Sequence, residues 1–479
     1  MAEYLLWMIA GSIYGVIIGI VPAVGATTGL LAIFSFISYF DSTPYLGVVF
    51  CMAAVAGSTT CDTYSSILLG IPGANSAAAS IVDGYPLSRQ GRAIYALSAA
   101  IFTSTLSGVF WGCLVFLFLP YYSQIVLYFG VPELWALTIL ALVSVSLLVS
   151  RHKIRSVLAI LLGLFIGSIG TDPVTASSRF TFGWFYLADG VQLVPLVAGL
   201  FAVPELIEGI RRKNNLFIPS DSYRNQTRDG LKAVWHNRWL AMRGGAIGAI
   251  IGALPGLGGA IADWLSYSHA VAANRGEQFG HGNIKGVIGP EGANNAQKAT
   301  SMIPTVLFGI PGAPFAAVLM GLFSYLNIEM GSIYLLEDRE FFAAMAFGFL
   351  AASVLVMFIC LFINRYLELL TAIPFKYYSM VVFAIIVWAC VQYTGGWEDY
   401  AMLAIASVLG MLCKHYRFSR PSLLVAYILS YKVETLSLQT YTLYSATDVI
   451  QRPGFLVISA ITLFLLYYGV TRNERIDFV

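Results

Sequence analysis

Apolar runs of membrane-spanning length recur along this chain, and they constrain its fold more than any single motif. Ala93–Leu119, Leu134–Val149, Leu187–Val203, Phe341–Ile363 and Tyr377–Val391 carry almost no charge, and about 20 residues of helix cross a hydrocarbon core. A backbone in lipid must satisfy its own hydrogen bonds, which leaves helices or closed barrels. A barrel would alternate polar and apolar residues, and these runs do not. Composition agrees: 58% of the residues are hydrophobic and 11% charged, against about 25% charged in soluble domains. The expected fold is an all-α polytopic membrane protein with roughly ten to twelve transmembrane helices plus re-entrant or broken ones. The opening MAEYLLWMIAGSIYGVIIGI lacks the basic segment of a cleaved signal peptide and reads as a retained first transmembrane helix.

Two words occur twice. GVIIGIVPAVGATTG (Gly15–Gly29) matches GAIIGALPGLGGAIA (Gly248–Ala262), with Pro22 and Pro255 aligned at an offset of 233. LLGIPGANSAA (Leu68–Ala78) matches LFGIPGAPFAA (Leu307–Ala317), with Pro72 and Pro311 aligned at 239. Recurrence in the same order at nearly one offset points to a duplication. The expected organisation is a first membrane repeat at 1–210, a basic cytoplasmic connector at 211–243 and a second repeat at 244–479. Charge gives the orientation, because cytoplasmic loops favour Lys and Arg. Arg89 and Arg92 follow the first GIPG, whereas Glu329, Glu337, Asp338 and Glu340 follow the second. Arg151, Lys153 and Arg155 have GGWEDY as their counterpart, and Lys414, Arg417 and Arg420 have only Arg179. Equivalent loops then lie on opposite sides, which is an inverted-topology repeat of the kind secondary transporters use. The same rule puts the N-terminus outside and the Arg472/Arg475 tail inside. The connector, with eight Lys or Arg, reads as a solvated cytoplasmic linker, and contact with lipid headgroups is the alternative.

Chemistry is expected where Gly and Pro interrupt the helices. Proline removes a donor and displaces a turn, and broken backbone at membrane depth is tolerated only when covered by protein or lining a wet cavity. The breaks fall in corresponding pairs: Pro22–Gly25 with Thr27 beyond it, Pro72–Gly73 with Asn75, Pro255–Gly259 including Gly256 and Gly258, and Pro311–Gly312. Paired interruptions point to a transporter's solute site. A half-helix N-terminus suits an anion such as a carboxylate, and freed carbonyls suit a cation. Gly15, Gly19, Gly248 and Gly252 are instead expected to serve close helix packing. Polar residues precede each GIPG: GSTTCDTYSS with Thr60 and Asp62, and PEGANNAQKATS with Glu291, Asn294, Asn295 and Lys298. Ionisable residues at membrane depth are functional candidates by default. Asp62 and Lys298 are expected to approach across the pseudo-twofold axis, with Asn294 and Asn295 binding a carboxylate or sodium. A solvated vestibule is the alternative for Lys298 and Glu291, and Asp263 is a weaker candidate.

Enzyme signatures are lacking. HExxH, GxSxG and GxxxxGK[ST] do not occur, so metalloprotease, hydrolase and ATPase readings have no residues to rest on. The six cysteines form no CxxC pair, and no metal centre or cofactor is expected beyond a coupling cation, sodium or proton. A net charge of +2 implies no nucleic-acid partner.

Three longer words, IVDGYPLSRQGRA (Ile81–Ala93), ALPGLGGAIADWLSY (Ala253–Tyr267) and GVIGPEGANNAQKATSMIPTVLFGIPGAP (Gly286–Pro314), give the chain a family likeness. It resembles the large permease subunit of tripartite tricarboxylate transporters, the TctA family, from about Gly15 to about Leu438. The resemblance implies a bacterial inner-membrane carrier driven by an ion gradient, commonly sodium, for a carboxylate-containing organic anion. It also implies a small four-helix membrane subunit and a periplasmic solute-binding protein as partners. The chain departs from the family pattern at Thr60-Cys61-Asp62-Thr63, usually YGGS, at Gly70, usually Asn, and at Lys298, usually small or acidic. All three fall in the expected site, so the resemblance carries over neither citrate as substrate nor sodium as the coupling ion. A stand-alone carrier for another small anion is the alternative within transport, and a channel or membrane scaffold the alternative outside it.

Overall fold

Chain breaks and glycine stops fix the ends of the helices that frame the molecule. The computed structural model describes residues 2–471 apart from 22–24, 71–72, 127–128, 149–152, 173–176, 212–222, 256–257, 333–334, 336, 367–378, 381–382, 389 and 391–395. Helix α1 (Ala2–Ile20) runs to the first break, and α2 (Gly25–Ile33) returns along it, with the Tyr14 hydroxyl donating to Gly29 O at 2.6 Å. Helix α3 (Pro44–Leu69) opens on a proline, whose missing amide costs nothing in a first turn, and stops where Gly70 turns left-handed at φ 64°. Then come α4 (Ile81–Arg89), α5 (Ala93–Val126), α6 (Val131–Leu148) and α7 (Lys153–Gly167). A two-residue antiparallel pair, β1 (Gly170–Thr171) and β2 (Ser178–Arg179), precedes α8 (Leu193–Val197), a π-helical turn, α9 (Val203–Arg211) and α10 (Tyr223–His236).

The second half repeats the plan. Helix α11 (Arg238–Ala253) ends at the PGLG break, α12 (Gly258–Ala273) returns, and α13 (Lys285–Thr300) continues through Ser301 into α14 (Met302–Phe308). Gly309 stops α14 in the left-handed conformation at φ 59°, as Gly70 stops α3. Helices α15 (Pro314–Tyr325), α16 (Arg339–Ala346), α17 (Ala352–Ile363), α18 (Glu398–His415), α19 (Arg420–Leu443), α20 (Ala446–Gln451) and α21 (Pro453–Thr471) complete the bundle. Among the described residues, four helical stretches, Ala2–Ile20, Pro44–Leu69, Ala93–Leu119 and Arg339–Tyr366, are long and apolar enough to cross a membrane, and five shorter apolar helices accompany them. The protein is an all-α polytopic membrane protein.

Two expectations shift. The run at 187–203 becomes helical only at Leu193, because Gly190 ends a 3-10 turn at Phe185–Asp189 and leads into extended Gln192. The connector is largely helical where it is described. Helix α10 packs on α5, and Gln226 accepts from the free Tyr95 amide and donates to Gly91 O. Helix α11 begins at Arg238, inside the expected connector, because Trp239–Met242 continue its apolar pattern. Pro22, Pro72, Gly256, Arg151, Gly395, Arg472, Arg475, the connector's 212–222 and six residues of 377–391 lie outside the described residues.

Close packing recurs residue for residue. A Cβ on Gly11, Gly15 or Gly19 of α1 would strike the carbonyl oxygens of Phe50, Ala54 and Ser58 on α3. On α11, Gly244, Gly248 and Gly252 meet Gly289, Ala293 and Gln297 of α13 in the same way. Each set of glycines is offset by 233 and each set of partners by 239, the two offsets of the sequence words. The glycines therefore serve backbone approach. Helix α3 also packs on α17, where the free thiols Cys61 and Cys360 lie 3.1 Å apart.

Opposite ends of the bundle are tied by different links. At one end Tyr4 donates to Glu340 at 2.8 Å, and Tyr45 donates to Asp338. At the other, Asp83 Oδ1 accepts the amides of Gly280, Gly282 and Asn283 at 2.8, 3.0 and 2.8 Å, and its Oδ2 accepts the Tyr267 hydroxyl at 3.0 Å. Gln90 adds a bond to His281 O at 2.9 Å. Thus the acidic stretch at Glu337–Glu340 and the Arg89/Arg92 turn sit at opposite ends of α3.

Candidate functional site

The polar words of both halves meet where α3 crosses α13. Thr63 donates to Glu291 at 2.9 Å, Asn294 Nδ2 donates to Asp62 Oδ1 at 3.2 Å, and Asn295 Nδ2 donates to Thr60 Oγ1 at 2.9 Å. Residue numbers fall along α3 as they rise along α13, so the two equivalent helices run antiparallel. Every member is buried: Asp62, Glu291 and Asn294 are 1% exposed, and Lys298 is 7% exposed. A solvated vestibule therefore does not describe these charges in this conformation. The Glu291 carboxylate is held by three hydroxyls, from Thr63 at 2.9 Å, Ser80 at 2.7 Å and Ser104 at 2.8 Å. Such bonds compensate a buried carboxylate that water would otherwise solvate.

Lys298 lies one turn beyond Asn294 on the same face of α13. Its ammonium donates to Ser76 Oγ at 3.2 Å and to Gln297 Oε1 at 3.1 Å, and lies 5.5 Å from the Phe315 ring centre. The Ser76 hydroxyl is also 3.5 Å from Asp62 Oδ2, so a single hydroxyl separates the two charges. A Cβ on Gly259, in the first turn of α12, would stand 2.9 Å from Lys298 Nζ. The ammonium therefore sits against the end of α12 where the free amides and the positive end of the helix dipole converge. Gln297 Nε2 is buried beside it with no acceptor among the described residues. Ammonium, helix N-terminus and an unspent amide donor make up a donor set that a planar carboxylate would match.

The breaks converge on this centre unevenly. Gly25, left-handed at φ 56°, opens α2 against Gly73 and Ala74. Thr27 lies in the first turn of α2, Asn75 opens the short 3-10 turn that carries Ser76, buried Pro255 precedes the second break, and Gly258 begins α12. Gly73 presses on Asp62 O and Gly312 on Ser301 O, their own preceding helices. Their amides donate to Ser66 Oγ at 3.4 Å and Thr305 Oγ1 at 3.1 Å, again 239 residues apart. Gly73 and Gly312 are thus small because backbone meets backbone, and Pro311 is part of that second tight turn. A separate cavity of about 530 Å³, lined by Thr171, Asp189, Gly321, Tyr427 and Ser430 among others, shares no residue with the crossing.

Four further residues went unassigned in the sequence. Ser76 has no signal apart from its closeness to GIPG. Gln297 stands next to Lys298 in a polar word. Asp83 lies in the DGYP word and ties α4 to the loop before α13. Lys432, a charge in the middle of α19, donates to Phe308 O at 2.8 Å and caps α14 at the second break. A lysine in the middle of a helix of membrane-spanning length is the signal that would have found it.

Comparison with known proteins places this arrangement. The sequence profile of the tripartite tricarboxylate transporter TctA family matches residues 5–425. An uncharacterised 52.8 kDa protein of the TAR-I ttuC′ 3′ region of Agrobacterium vitis is 31% identical over 446 residues, covering 89% of this chain and 84% of that protein. An uncharacterised protein of the TAR-II ttuC′ 3′ region of the same organism is 31% identical over 186 residues, 38% of this chain and 76% of its own length. No solved structure matches. With buried polar helices crossing inside a multi-pass bundle and a profile match over most of its length, the chain belongs to the tripartite tricarboxylate transporter TctA family.

Proposed function

We propose that this chain is the carrier subunit of a bacterial inner-membrane system that takes up a carboxylate-bearing organic anion, driven by a cation gradient. Its partners would be a small membrane subunit and a periplasmic solute-binding protein. The observation that carries this reading is the ammonium of Lys298 held against the N-terminal turn of α12, beside the unspent Nε2 of Gln297. A carboxylate would replace Ser76 or Gln297 Oε1 as the partner of that ammonium and take amides from α12. The division at 1–210 and 244–479 belongs to the same reading. Equal offsets in helix packing and the antiparallel crossing of α3 and α13 support an inverted repeat, with the Arg89 end cytoplasmic and the Glu340 end periplasmic.

Uptake of labelled mono-, di- and tricarboxylates into cells expressing this chain, with and without a candidate small membrane subunit and a candidate periplasmic solute-binding protein, tests the proposal. Accumulation of at least one carboxylate that requires all three proteins is expected. Absence of carboxylate uptake across the panel, with the chain in the membrane, would overturn it.

A further inference from the structure

One face of α10 and α11 looks away from the protein along most of its length. Inward, Gly230 lies against Tyr95 O and Ser98 of α5, Val234 is fully buried, and Gly244 and Gly248 meet α13. Outward, exposed residues recur every three or four positions as Arg228, Lys232, Trp235, Trp239 and Arg243. Farther along α11 the same face carries exposed Ile250 and Leu254. The stripe is graded in one direction, basic, then aromatic, then apolar. Trp235 and Trp239 are 59% and 69% exposed. A solvated linker has no use for two outward indoles that lead into outward aliphatics.

Depth fits the grading. Gln226 bonds to Gly91 O and to the Tyr95 amide, so α10 begins at the Arg89/Arg92 end. Gly248 packs on Ala293, next to Asn294 and level with the α3–α13 crossing. Trp239 stands about 13 Å along the helix from Gly248, at about 1.5 Å per residue, and half a hydrocarbon core is about 15 Å. With the crossing near the midplane, where transporters keep their sites, both indoles reach the membrane–water interface, where tryptophan is enriched.

The cations gather at the same level. Arg243 reaches back one turn, its Nε donating to Trp239 O at 3.2 Å, as a snorkelling side chain does. Arg238 donates from Nη1 to Trp235 O at 3.1 Å, and its guanidinium carbon lies 5.5 and 5.9 Å from the Trp235 and Trp239 rings. Each guanidinium keeps further N–H donors. Among the described residues none of these cations has an ion-pair partner. Asp229, the one acid of α10, faces the side of Tyr95, whose ring Arg92 covers.

We propose that Lys232, Trp235, Arg238, Trp239 and Arg243 form a binding site for the phosphodiester headgroup of an anionic phospholipid in the cytoplasmic leaflet. Its acyl chains would run along Ile250 and Leu254. Unanswered cations supply the charge complementarity, the indoles hold the interface, and the aliphatics below them match lipid and not water. The site rests on the orientation in the carrier reading, and not on what is carried.

The whole chain, purified in neutral detergent without solute, provides the test. Phosphatidylglycerol and phosphatidylcholine with identical brominated chains are titrated in, and quenching of tryptophan fluorescence reports contact. For the wild type, saturable quenching by phosphatidylglycerol is expected at a mole fraction at least about tenfold below that of phosphatidylcholine, since each basic side chain at an anionic surface contributes about a fivefold factor. Trp235→Phe/Trp239→Phe should lose that phase, which locates it at the stripe. Lys232→Gln/Arg238→Gln/Arg243→Gln should bring the two lipids level, whereas Lys232→Arg/Arg238→Lys should keep the preference. Equal quenching by both lipids in the wild type, or a preference that survives the triple variant, would overturn the site and leave the stripe to a protein partner. Relief of the quenching by inorganic phosphate would overturn it in favour of a free anion. Preference for phosphatidylglycerol in a protein that moves no carboxylate would keep the lipid site and defeat only the carrier reading.

Discussion

Removing Lys298 should destabilise the protein, and removing Asp62 with it should restore much of the loss. Ser76 Oγ lies 3.2 Å from Lys298 Nζ and 3.5 Å from Asp62 Oδ2, which bounds the charge separation at about 6.7 Å. At an effective dielectric constant of about 20, two unit charges at about that distance attract by about 2.5 kcal/mol. Lys298→Met leaves Asp62 with only Asn294 and Ser76 as donors. Leaving a buried charge unpaired typically costs about 3–5 kcal/mol when the partner was in direct contact. For this pair, separated by a hydroxyl, about 2–3 kcal/mol is expected, from the Coulomb figure. The Asp62→Asn/Lys298→Met double variant should be more stable than the sum of the single losses implies, with a coupling energy of about 2 kcal/mol. Reversible denaturant unfolding of the four proteins in mixed micelles measures the cycle. Single losses that add within about 0.5 kcal/mol would refute the reasoning.

Other consequences follow from packing and topology. Gly15→Ala and Gly248→Ala should each destabilise by about 1–3 kcal/mol in the same assay, because each methyl would be forced into a carbonyl of the facing helix. Asp83→Ala should free the 280–283 loop, since a hydrogen bond to a charged group contributes about 1.5–3 kcal/mol; faster proteolysis there is the readout, and unchanged cleavage would contradict it. Single cysteines at Glu337 and Arg89 should label from opposite sides of the membrane, and labelling from one side would remove the inverted repeat.

Much of this architecture was legible because it rests on short-range rules. The apolar runs gave the helices, and Gly70 and Gly309 marked stops that the backbone makes left-handed. Offsets of 233 and 239 between the repeated words reappear as offsets between packing partners. The polar words pointed to Asp62, Asn294, Asn295 and Lys298, which the fold brings to one crossing. Other features depend on tertiary contact. Ser76 matters because a 3-10 turn of one half lies beside the lysine of the other, and no local pattern encodes that. Gly73 is expected from the sequence as a solute contact, and only the fold reveals that a Cβ there would meet the carbonyl of Asp62. Asp263 is a weaker candidate in the sequence, which cannot reveal that both its oxygens are buried without hydrogen-bond partners among the described residues.

The account turns on a carboxylate held by Lys298 at the N-terminus of α12, and equilibrium binding to purified protein tests this most directly. A carboxylate taken up by the cells should be titrated against wild type, Asp62→Asn and the Asp62→Asn/Lys298→Met double variant, all in sodium. The double variant removes the ammonium without leaving Asp62 as an unpaired charge, so its folding can be verified independently of binding. Saturable binding to wild type and Asp62→Asn, with none to the folded double variant, is the predicted result. Binding of wild-type affinity in the double variant would contradict the account.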